Sequence, residues 1–133
     1  MIVVDSSVWI GNLRGNGSKS VAWLQSVQVQ DAQNILVGDL ILMEVLQGIR
    51  DEASARRIER ALRQFTVASM LTPDLAVKAA SNYRLLRSLG VTVRQTVDMI
   101  IGTFCINGGH SLLHDDRDFH PMARHLGLDV IEV

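Results

Sequence analysis

Four acidic residues stand where an ionised side chain is hard to accommodate. Asp5 ends the apolar run Ile2-Val3-Val4, Glu44 lies inside Leu40-Ile41-Leu42-Met43-Glu44-Val45-Leu46, Asp98 opens Asp98-Met99-Ile100-Ile101, and Asp116 follows Ser111-Leu112-Leu113 closely. Carboxylates gathered at neutral pH repel one another, and a bound cation is the usual reason a fold tolerates them. Hard oxygen donors suit Mg²⁺. Such an ion acidifies water near neutral pH and offsets negative charge on a phosphodiester under attack. The chemistry these four residues suggest is therefore hydrolysis by a Mg²⁺-activated water, with no histidine base required.

Each acid also has a plainer reading. Asp5 suits a turn or a cap, Asp98 complements the dipole of its own helix, and Asp116 is one of several acids in His114-Asp115-Asp116-Arg117-Asp118. Glu44 resists it, because an acid in so apolar a helix costs free energy unless paired or coordinated.

The apolar pattern gives the strands and helices that carry these acids. Residues 2 to 4 predict a strand buried on both faces, with Asp5 at its carboxyl end. Ser6 or Ser7 is expected to cap a short helix reaching Leu13, and a second helix covers Ser20 to about Val29. Ile35-Leu36-Val37 reads as a strand, followed by a helix capped by Asp39 that is apolar nearly all round and so must be covered on more than one side. Residues 52 to 64 give a helix with Ile58, Ala61, Leu62 and Phe65 on one side, and Phe65 to Ala68 a short strand. Thr72-Pro73-Asp74 starts a long helix that Gly90 stops. Thr96 is expected to cap the helix 97 to 106, in which Asp98 shares an inward face with Ile101, Gly102 and Cys105. Ser111-Leu112-Leu113 is a further central strand, a helix runs from about Asp118 to Leu126, and 128 to 133 closes an edge. Strands alternating with helices predict a mainly parallel α/β sheet whose ligands bind outside the carboxyl ends of the strands.

Composition is consistent with one domain over 1–133. The 133 residues are 47% hydrophobic and 20% charged, with a formal net charge of −1, a globular profile that does not advertise nonspecific binding to nucleic acid. Cys105 is the only cysteine, which excludes an internal disulfide and a multi-cysteine zinc site and points to a cytoplasmic setting. No signal peptide is expected, and no apolar run is long enough for a membrane span.

Together the motifs Val4-Asp5-Ser6-Ser7, the stretch Val37 to Gly48 around Glu44, Thr96-Val97-Asp98-Met99-Ile100 and Leu112-Leu113-His114-Asp115-Asp116-Arg117-Asp118-Phe119 resemble the PIN-domain ribonucleases, in particular the VapC toxins of VapBC toxin-antitoxin systems. The resemblance covers essentially the whole chain. It implies a three-layer α/β/α fold and a metal-dependent endoribonuclease acting as the toxin of a type II pair. It makes Asp5, Glu44, Asp98 and Asp116 the catalytic, metal-binding acids for Mg²⁺ or Mn²⁺, with Asp118 a fifth and Ser6 ordering water beside the first. The partners it implies are RNA, a VapB-like antitoxin and a second copy in a homodimer. One departure is His114, where many members of the family carry Ser or Thr.

Arg94, just ahead of Asp98, is the best-placed phosphate ligand by sequence, with Arg117 another; Arg56, Arg57, Arg60 and Arg63 read first as a solvated helix face. His114 suits a supporting role more than metal coordination. Trp9 and Trp23 read as packing. Two competing functions are weaker. A phospho-acceptor or phosphatase using Asp5 lacks the usual second acid two residues on, since Ser7 stands there, while a noncatalytic RNA- or protein-binding PIN-like module would keep the acids for stability alone.

Overall fold

The computed structural model describes residues 1–133. Five short strands form one sheet: β1 (Ile2–Val4), β2 (Ile35–Gly38), β3 (Thr66–Ala68), β4 (Ser111–Leu113) and β5 (Asp129–Val130), in the spatial order β3-β2-β1-β4-β5. Every pairing is parallel, with Ile2 opposite both Ile35 and Ser111 and Val4 opposite Leu113. Parallel strands buried on both faces need continuous apolar sequence rather than alternation. Val3, Val4, Ile35, Leu36, Val37, Leu112 and Leu113 are accordingly all buried.

Helix α1 (Ser6–Leu13) packs against α2 (Lys19–Gln25) and α3 (Asp39–Gln47), and α3 against α4 (Glu52–Leu62), while α5 (Pro73–Ser88) packs against α6 (Thr96–Gly108) and α7 (His120–Leu126). Right-handed crossovers put the first group on one face while the chain steps from β1 outward to β3, and the second on the other as it returns to β4 and β5. The direction of winding therefore reverses between β1 and β4. At such a switch point the loops leave in opposite directions and open a crevice above the strand ends.

Local details depart from the expected caps. Asp5 itself caps α1, accepting from the Ser7 amide, so the acid and the cap are one residue. Ser18 caps α2, which ends at Gln25 before a 3₁₀ turn over Val29–Asn34. Asp39 is the first residue of α3 rather than its cap, and Gln95, not Thr96, precedes α6. Ala61 is exposed on α4, whereas Leu62 is buried and Ile58 and Phe65 pack half-buried against the core. The closing strand is only Asp129–Val130.

Among the helices, α6 is the most deeply set. It buries Met99, Ile100, Ile101, Thr103 and Cys105 as well as Asp98. Gly102, one turn beyond Asp98, faces the Met122 sulfur so closely that any Cβ would overlap it. Glycine there lets α6 settle against α7, fixing the depth at which Asp98 projects.

A carboxylate-lined candidate metal site

Each predicted acid reaches the open end of the sheet by a different route. Asp5 leaves β1, and its amide extends the sheet by donating to the Leu113 carbonyl at 2.9 Å. Asp116 lies in the turn after β4. Glu44 comes from the middle of α3 and Asp98 from the first turn of α6. All four line one cleft of about 350 Å³ together with Ser6, Ser7, Ile10, Gly11, Arg14, Asn16 and Gln95. Carboxylate oxygens of Asp98, Asp116 and Asp118 lie within 4.8 Å of one another.

Hydrogen bonds hold one side of several of these acids and leave the other open. Asp5 Oδ2 accepts from the Ser7 amide at 3.0 Å and the Ser7 hydroxyl at 2.6 Å, while Ser7 Oγ accepts from the Asp115 amide at 3.0 Å. Ser7 thereby ties the β1 end to the β4 end. Asp116 Oδ1 accepts from the Asp118 amide at 2.9 Å, and Ser6 Oγ donates to Glu44 Oε1 at 3.1 Å. Asp98 has no such support. Its Oδ2 is buried without a partner, which is uncommon for a polar atom and marks a place for a cation or a proton.

The electrostatics follow from burial and crowding. Asp98 is only 6% exposed; that burial, then Asp116, Asp5, Glu44 and Asp118, pushes its carboxyl up to about 7. Burial also raises Asp5, against the hydrogen bonds from Ser7, and Asp116 adds to the rise. Glu44 is raised by burial and by Asp5, with the Ser6 hydroxyl opposing. No cation pairs with any of the four, since the ion pairs in the chain are Arg63–Glu59 and Arg94–Asp118. An all-oxygen set of acids that disfavours its own ionisation fits a hard divalent ion well.

Other expected residues sit elsewhere. Arg94 reaches Asp118 at 3.4 Å with its side chain 66% exposed, at the edge of the carboxylate group rather than in the cleft lining. His114 turns away from the cleft: its Nδ1 accepts from the Asp116 amide at 3.1 Å, and its ring lies 5.1 Å from Phe119 and 5.6 Å from His120. Burial and His120 lower its pKa, favouring neutral imidazole protonated at the buried Nε2. It supports the Asp116 turn and does not stand in for a cleft hydroxyl. Trp9 packs on Phe65 at 5.5 Å, and Arg56, Arg57 and Arg60 are exposed on α4. Sequence reading missed Arg14, Asn16 and Gln95 in the cleft; none has an apolar setting to betray it.

The PIN domain family model matches residues 2–125. The chain is 32% identical over 127 residues to the VapC ribonuclease Mb1587 of Mycobacterium bovis, covering 93% of this chain and 92% of that protein. Ribonuclease VapC11 of Mycobacterium tuberculosis is similar to the same degree over the same share of each chain. Among solved structures, VapBC2 from Rickettsia felis, bound to a DNA fragment from its promoter, superposes with a TM-score of 0.75 at 14% identity over 98% of both chains.

Proposed function

The chain belongs to the PIN-domain family, and on that basis we propose that it is a metal-dependent endoribonuclease, the toxin of a type II toxin-antitoxin pair, whose cognate partner is a VapB-like antitoxin. The observation that carries the reading is the meeting of Asp5, Glu44, Asp98 and Asp116 in one cleft, with none of the four in an ion pair. Asp98, Asp116 and Asp118, whose oxygens lie within 4.8 Å of one another, would hold the ion, with Asp5 and Glu44 completing the set from β1 and α3. Mg²⁺ is the proposed ion, with Mn²⁺ an alternative of the same oxygen preference.

The ion's contribution, when bound, is Lewis acidity: it acidifies water and offsets charge on the phosphate. The chain's own residues do the positioning. Ser7 fixes Asp5 by two hydrogen bonds to one oxygen and leaves the other for the cleft. The Asp118 amide does the same for Asp116, and Gly102 sets the approach of the helix that carries Asp98. Holding donors still before reaction removes the reorganisation that mobile carboxylates would require.

Purified protein should cut single-stranded RNA with Mg²⁺ or Mn²⁺ and stop when EDTA is added. Tight RNA binding with no turnover over hours in either ion would support the noncatalytic module instead, and cutting that survives EDTA would exclude the metal mechanism.

A further inference from the structure

Four acids repel a polyanion, so RNA must be drawn in by groups other than the acids themselves. Only one cationic side chain lines the cleft, Arg14, and it pairs with none of the acids around it. It lies just past α1, in a connection to α2 that is fixed at both ends. The Asn16 amide donates to the Gly11 carbonyl at 2.9 Å, Asn16 Oδ1 accepts from the Ser18 amide at 2.7 Å, and Ser18 Oγ donates to Asp115 at 2.6 Å. Gly11 permits this closure, because a Cβ there would lie 3.1 Å from Asn16 Nδ2 and 3.2 Å from Val21.

The bonding leaves free donors among the cleft-lining groups. Asn16 has spent its acceptor on Ser18, so what it offers the cleft is the Nδ2 donor, and Arg14 offers only donors. Gln95, across the cleft at the start of α6, makes no side-chain hydrogen bond and can add its amide donor. Donors presented together on an anchored loop complement phosphate oxygens.

We propose that Arg14, Asn16 and Gln95 form the seat for an RNA phosphodiester neighbouring the one that is cleaved. The inference rests on the nuclease reading and deepens it by assigning the substrate's path: the strand enters over the α1–α2 loop. Arg94, which meets Asp118 at the edge of the carboxylate group, does not line the cleft with these three residues.

The test compares Asp98→Asn with the double variant Asp98→Asn/Arg14→Ala, each titrated in Mg²⁺ with a fluorescent single-stranded oligoribonucleotide of mixed sequence at several salt concentrations. Loss of Arg14 should weaken binding about tenfold and lower the slope of log affinity against log salt by about 0.7, the contribution of one single-strand phosphate contact. Arg14→Lys should keep the slope. Asn16→Asp preserves the acceptor for Ser18 while removing the donor, and should also weaken binding. In the cleaving protein the Arg14→Ala loss should fall on KM more than on kcat. An unchanged affinity and slope in the double variant would overturn the assignment. The nuclease reading fails separately, if the unmutated chain leaves RNA intact in Mg²⁺.

Discussion

Asp5 and Asp39 occupy matching places in the fold. Each follows the last residue of a parallel strand, β1 and β2, and each stands at the start of a helix. Their surroundings differ completely. Asp39 is exposed, and its Oδ1 accepts from the Leu40 amide at 2.8 Å and the Met70 amide at 3.0 Å, joining α3 to the chain leaving β3. Asp5 is 3% exposed, faces three other acids, and is held through one oxygen only. A strand-end acid answered by backbone amides and water serves the fold, whereas one buried among like charges serves something the chain itself does not supply. The winding reversal explains the contrast, since Asp5 lies at the crevice between β1 and β4 and Asp39 lies one strand away from it.

That contrast can be broken most severely at Asp98. Asp98→Asn removes a charge but keeps the shape, so the variant should fold normally by circular dichroism while its single-turnover RNA cleavage falls about 10³-fold, the loss of several kcal/mol of charge stabilisation. Undiminished cleavage would return Asp98 to the role of a helix-dipole residue.

The same crowding sets a pH dependence. Asp98 in the fold titrates near 7 against an ordinary 3.8, so the folded state holds the proton more tightly than the unfolded one. Stability from this group is complete below about pH 4, is lost as pH rises toward 7, and is flat above. EDTA-treated protein should therefore melt several degrees lower at pH 8 than at pH 5, with about 2 kcal/mol traceable to Asp98 after allowing for water in the cleft. Asp98→Asn should flatten the dependence, and equal slopes in the two proteins would remove the group from it.

Asp39→Ala tests the other side. It deletes two hydrogen bonds outside the cleft, so stability should fall by about 1–2 kcal/mol in chemical unfolding while the cleavage rate of folded protein is kept. A large loss of rate would mean that the two regions are coupled.

The smallest effect belongs to His114. His114→Ala deprives the Asp116 amide of its acceptor and should weaken Mg²⁺ affinity by up to about tenfold in calorimetry, while His114→Asn, which returns an oxygen near the Nδ1 position, should recover part of it. Equal affinities in both variants would confine His114 to packing against Phe119 and His120.

Much of the fold was legible because burial leaves a mark on sequence. Ile2-Val3-Val4 and Ser111-Leu112-Leu113 read as strands through their continuous apolar character, and Glu44 and Asp98 stood out against apolar helices. Which side chain caps a helix was not legible at Asp5, Asp39 or Thr96, because adjacent polar residues compete and only the path of the preceding strand decides. Arg14 and Asn16 were invisible for another reason. A polar loop reads the same whether it faces open solvent or, as here, is pinned to Gly11 and Asp115 and bends over the cleft. The engagement of Arg94 by Asp118 likewise depends on α6 meeting the turn after β4.

The most direct measurement is a crystal of the protein soaked in Mn²⁺ and examined by anomalous scattering. A peak at the open end of the sheet about 2.1 Å from oxygens of Asp98 and Asp116, within the acids that Asp118, Asp5 and Glu44 complete, is the predicted result. Density free of any such peak, with Asp98 Oδ2 bonded to a protein donor instead, would contradict it.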